Sequence, residues 1–166
     1  MDIKDKQKVW DETRSSVDHI VDGLEEHVDE GIKETVTALM VHGFVTIGSC
    51  GGHLERSLLY PWVDFCTVEP TGWKEDKRII KQWEAANRIQ YKRMLELLGY
   101  FYFDRKVKYD AMLILDCANF AGFRLESIGG FAVDGESDEI KQEKLTLYCR
   151  EMQEFAEFLK NKYFSG

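Results

Sequence analysis

The run Gly43-Phe44-Val45-Thr46-Ile47-Gly48-Ser49-Cys50-Gly51-Gly52-His53 constrains the chain more than any other stretch. Just before it, Ile32, Val36, Leu39 and Met40 recur at helical spacing. Gly43 stands where a helix ends on a left-handed residue. Phe44 to Ile47 then read as a short buried strand, with no room for a long loop. Gly51 and Gly52 permit a sharp turn or close approach to a ligand. A helix that feeds straight into a strand and then a glycine turn points to helices layered on a sheet.

The remaining segments fit that layering. Trp10, Val17, Val21, Leu24 and Val28 give residues 1–28 an amphipathic rhythm, interrupted at Asp22-Gly23, so this segment is expected to pack on the domain. Asp29 is expected to cap the helix after it, with Glu30 in the first turn. Residues 60–68 predict a second strand, with Pro61 at its start or on an edge. Residues 74–98 predict a helix closed by Gly99, and Tyr100 to Phe103 a strand or a linker. Tyr109 to Cys117 has a continuous apolar centre, the pattern of a central strand covered on both faces. Residues 122–128 return from it, Phe131 to Val133 extend that strand, Asp134 to Asp138 form an acidic loop, and 139–161 form a last helix. The expected fold is α+β: a single domain over 1–166 with a mostly antiparallel sheet of four to five strands and packed helices.

The chain has 166 residues, 44% of them apolar, enough for a real core. No run is long and apolar enough for a membrane span, and the polar start, Met-Asp-Ile-Lys-Asp-Lys-Gln-Lys, is not a signal peptide. The expected setting is cytoplasmic, without a membrane. A net charge of -8 repels a phosphate backbone, which disfavours nucleic acid as a partner. The one basic concentration, Arg88, Lys92, Arg93, Arg105, Lys106 and Lys108, reads as a solvated helix face and loop.

Ser49, Cys50, Gly51, Gly52 and His53 are expected beyond the end of the first strand, where binding groups are often mounted. The glycine spacing is neither a phosphate-binding loop nor a dinucleotide fingerprint. Three readings of Cys50 stay open. It can be a small packed residue. It can bind zinc together with His53, which needs two further ligands from such residues as His42, Asp64, Cys66 and Cys117. It can be a nucleophile with His53 as base and Asp64 orienting the imidazole. Arg124 and Glu126 are expected to face the same cleft, Arg124 as an anion contact or as the ion-pair partner of Asp64 or Glu126. Glu55 and Arg56 add polar reach.

The unit from Gly43 to His53, followed by Pro61-Trp62-Val63-Asp64-Phe65, resembles small uncharacterised bacterial and phage proteins with a Ser-Cys-x-Gly-His turn. That resemblance spans residues 29–68 and implies a fold without an activity. The turn is also similar to that of the tRNA wybutosine-synthesizing protein 3 family. Thr46, Ser49, Cys50 and Gly52 match, and His53 stands where that family has arginine. This second resemblance implies methyl transfer from S-adenosylmethionine to a modified guanosine in phenylalanine tRNA. Ser49 to His53 would shape the site, and Asp116 or Asn119 would meet the cofactor. The expected function is a small-ligand-binding or regulatory protein, with a small molecule or protein as partner. The alternatives are an S-adenosylmethionine-dependent methyltransferase and a small zinc-stabilised domain.

Overall fold

The computed structural model describes residues 1–21, 25–55, 58–118, 122–133 and 135–166. The expectations placed on Asp22-Gly23, Leu24, Arg56, Asn119 and Asp134 lie outside the described residues. Helix α1 (Ile3–Asp18) is capped by the Asp2 carboxylate, which accepts from the Asp5 N–H. It ends at Asp18, short of the rhythm that continues to Val28. Helix α2 (Lys33–Val41) buries Thr35, Val36, Thr37, Ala38 and Leu39. It terminates as expected at Gly43, whose φ is 78°. The Gly43 N–H donates to Met40 and the Phe44 N–H to Leu39, so the last carbonyls are satisfied by a left-handed cap.

Strand β1 (Thr46–Cys50) starts two residues later than expected and runs through Ser49 and Cys50. Strand β2 (Trp62–Phe65) is shorter than the apolar run that suggested it. Helix α3 (Lys77–Tyr102) continues past Gly99 through the aromatic run. The glycine costs about 1 kcal/mol inside a helix, but continuing past it buries Phe101. The Phe101 ring lies 5.1 Å from Phe155 and 5.4 Å from Phe158, which outweighs that cost.

Strands β3 (Leu113–Cys117) and β4 (Phe123–Ser127) complete an antiparallel sheet of order β1-β2-β4-β3. This corrects the placement of β3. It is an edge strand, with Asp116 and Cys117 exposed, while β4 is internal. Tyr109 to Ala111 form a short turn of helix, and Gly130 to Ala132 form another in place of a strand extension. Helix α4 (Asp138–Ser165) is capped by Ser137 and is longer than 139–161.

One sheet face, with Val63, Phe65, Leu113 and Leu125, joins Ile32, Val36, Leu39, Met94, Phe101, Met152, Phe155 and Leu159 in the main core. The opposite side of β2 and β4 carries Trp62, Asp64, Arg124 and Glu126, paired across the strands as Trp62 with Glu126 and Asp64 with Arg124. A smaller cluster of Tyr60, Ala111, Val133 and Tyr148 closes one end. Among the described residues, no helix is long and apolar enough to cross a membrane.

Candidate functional site

The Gly51-Gly52-His53 turn is held by a residue that sequence reasoning assigned elsewhere. Asp29 does not cap α2, whose N-cap is Ile32 without a side-chain hydrogen bond. Its Oδ2 instead accepts from the Gly51 N–H at 2.8 Å and lies 3.1 Å from His53 Nε2. The Cys50 thiol hydrogen-bonds the same carboxylate. Burial alone would raise the Asp29 pKa, but the Gly51 amide, His53 and Cys50 together hold it below the ordinary carboxylate value. The metal-ligating atoms of Asp29, Cys50 and His53 all lie within 4.8 Å of one another.

The backbone makes this convergence possible. Gly52 has a φ of 84°. A side chain there would meet Leu145 Cδ1 at 2.8 Å and the Tyr60 carbonyl carbon at 2.9 Å. On the other side of the turn, the Cys149 thiol of α4 donates to the Gly51 carbonyl at 3.4 Å. The turn is thus pinned from the segment before α2, from α4 and from the entry to β2.

Asp29, Cys50 and His53 line a recess of about 520 Å³ together with Ser49, Gly48, Thr46, Trp62, Glu26 and His27. Ile20, Val21, Val28 and Ile47 supply its apolar wall. The side chains of Asp29 and His53 remain about one-third exposed, while Cys50 is buried.

Ser49, Cys50 and His53 therefore come together, and Asp64, Arg124 and Glu126 form a second group. Asp64 does not orient His53. Arg124 holds it in a two-pronged pair, Nε to Oδ1 at 2.7 Å and Nη2 to Oδ2 at 2.8 Å. The ion-pair alternative for Arg124 is the one observed, and its guanidinium lies 4.0 Å over the Trp62 ring. Trp62 links the two groups, since it also lines the recess. Glu126 is fully buried, and burial pushes its carboxyl up to about 7 against the opposing influence of Arg124 and Tyr60. It has no carboxyl oxygen at the surface to offer a ligand in the recess.

The other metal ligands suggested by the sequence are elsewhere. His42 Nε2 pairs with the Leu159 carbonyl at 2.8 Å, Cys66 is buried next to β2, and Cys117 lies on the edge strand. The nucleophile reading asks for an imidazole between thiol and carboxylate. Here both the thiol and the imidazole hydrogen-bond to the Asp29 carboxylate. Only one sequence signal pointed to Asp29: a carboxylate just ahead of a helix whose first buried residue is Ile32. That signal is shared by every ordinary N-cap.

The chain matches no protein-family model, no curated protein and no solved structure. The two resemblances noted above therefore rest on the sequence alone, the first on residues 29–68 and the second on the turn.

Proposed function

We propose that the chain binds a small molecule in the recess between β1 and residues 20–21 and 26–29. The observation that carries this reading is the pairing of an open apolar wall with a polar turn. Ile20, Val21 and Ile47 are 39%, 50% and 50% exposed, and all three face one concavity. Exposed branched side chains gathered in a recess lose unfavourable water contact when a ligand covers them. A recess of about 520 Å³ is of the size that holds small organic ligands. Asp29, His53 and Ser49 would fix the polar end of the ligand, and Trp62 would receive its flat apolar part. A binding or regulatory role follows from this chemistry more directly than methyl transfer. Asp116, offered for the methyl donor, is exposed on the far edge strand, and Asn119 lies outside the described residues.

The test uses anilinonaphthalene sulfonate, a fluorescent apolar probe. Saturable binding to the full chain is expected, with affinity reduced about tenfold in Ile47→Asp, where a charge enters the apolar wall. Binding that is absent, or equal in both proteins, overturns the reading. Circular dichroism of Ile47→Asp verifies that the half-exposed substitution leaves the fold intact.

A further inference from the structure

We propose that Asp29, Cys50 and His53 bind one zinc ion, leaving a fourth coordination position open to the recess. The donor set is mixed thiol, imidazole and carboxylate, and each is an accepted zinc ligand. Bound at about 2.0 Å in a tetrahedral shell, a nitrogen and an oxygen stand roughly 3.3 Å apart, and a sulfur about 3.5 Å from either. His53 Nε2 and Asp29 Oδ2 are already 3.1 Å apart, and the three ligating atoms lie within 4.8 Å of one another. Closing on an ion therefore requires side-chain movement of about 1 Å and no rebuilding of the turn.

The surroundings supply what a metal site needs beyond its ligands. The Gly51 N–H fixes the Asp29 carboxylate, the outer-shell role that orients a ligand. Gly52 turns the chain back at a φ of 84°, setting His53 against Asp29. The thiol of Cys50 is buried, and the ligands come from two separate segments, Asp29 from before α2 and Cys50 and His53 from the end of β1 and the turn that follows it. Cys149 is close but lies outside the converging set and donates to the Gly51 carbonyl. Three protein ligands with an open position are the arrangement of zinc sites that bind or activate a further molecule. On binding, the Cys50 S–H bond is replaced by a sulfur–zinc bond and its proton passes to solvent. The open position would take a Lewis-basic head group, such as a carboxylate, thiolate or hydroxide. The apolar body of the same ligand would lie along Val21, Ile47 and Trp62. The metal itself does not depend on the ligand-binding reading; only the role of the open position rests on it.

Cobalt(II) is the probe, because its absorption reports ligand type and geometry. Full-length protein freed of metal with a chelator is titrated with cobalt. The expected result is saturation at one equivalent, visible bands of tetrahedral intensity and a charge-transfer band from one thiolate, all abolished by zinc. Asp29→Asn and His53→Ala should each weaken binding about tenfold or more, Cys50→Ala should remove the charge-transfer band, and Cys149→Ser should leave it unchanged. His53 is partly exposed, so its variant keeps the test sound if Cys50→Ala fails to fold. No saturable binding, or binding unaltered in both His53→Ala and Asp29→Asn, overturns the proposal. Anilinonaphthalene sulfonate binding in the presence of chelator separates the two readings: if it persists while cobalt fails, only the metal site is lost, and the reverse result removes only the ligand-binding reading.

Discussion

Two carboxylates show how the same functional group acquires opposite properties within one small sheet. Asp29 is met by an N–H, an imidazole and a thiol, and its anion is favoured. Glu126 lies in the internal strand with both carboxyl oxygens lacking a hydrogen bond of standard geometry. Burial favours its neutral form. Arg124 and the Tyr60 hydroxyl act against this, and Asp116 and Asp64 reinforce it. Because its pKa rises on folding, the group destabilises the fold as pH increases. Below its ordinary value of 4.5 both states are protonated. Between 4.5 and about 7 the unfolded chain ionises and the folded chain does not. Stability therefore falls across that window and levels off above it, by roughly 3 kcal/mol in total. Glu126→Gln should abolish this contribution and leave the protein more stable than the parent above pH 7. Urea denaturation of both proteins at a series of pH values checks it, and a stability difference between parent and variant that stays constant across the window would contradict the assignment.

At the scale of elements, two glycines with nearly equal φ serve different purposes. Gly43 (φ 78°) ends α2, and a Cβ added there would meet only the tip of Arg93 within 4 Å. Gly43→Ala should cost only the conformational penalty of about 1 kcal/mol. Gly52 (φ 84°) adds a collision with Leu145 and with the backbone of Tyr60 and Pro61. Gly52→Ala should cost clearly more, about 2–4 kcal/mol, and should displace His53 from Asp29. Thermal melts of the two variants side by side measure the difference, and equal losses would show that the turn yields without strain. The helix stop at Gly43 was legible in the sequence because its cause is local. So was the existence of all four strands, and alternation put Arg124 and Glu126 on one face, but the choice of Asp64 as the partner of Arg124 comes from the register of β2 against β4. The strand order was not legible. The most apolar run, Leu113 to Leu115, lies at the edge, while the internal strand contains Arg124, Glu126 and Ser127. Internal polarity there is tolerated because Asp64 neutralises Arg124 and burial favours the neutral form of Glu126. Of the trio proposed to bind zinc, Cys50 and His53 were legible because they lie three residues apart in the sequence, but Asp29 reaches them through the tertiary fold.

Across the whole molecule, the recess depends on how α1 is fastened. Trp10 is 4% exposed, with ring centroids 6.3 Å from Tyr163 and 5.8 Å from Phe164 near the end of α4. Lys160 covers it at 4.9 Å. Val17 and Ile32 are fully buried in the same core, so α1 and the entry to α2 are fixed side by side. The residues between them carry Ile20, Val21, Val28 and Asp29, the apolar wall and the central carboxylate of the site. The ion pairs at this junction, Arg14 with Asp18 and Glu30, and Lys33 with the same two acids, set mostly covered cations against solvent-exposed acids, and pairs with an exposed partner contribute little each. Apolar anchoring therefore dominates. Trp10→Ala should cost about 3–5 kcal/mol, far more than Arg14→Ala. Its effect should reach the site before it reaches the sheet: amide exchange should accelerate at residues 19–21 and 25–29 under conditions that leave β2 and β4 protected. Probe affinity should fall with it, although Trp10 lies outside the recess. Hydrogen exchange followed by mass spectrometry resolves these segments. Equal acceleration in the sheet and in residues 25–29 would mean that the site and core open as one unit, and that α1 is not the separate fastening on which the site depends.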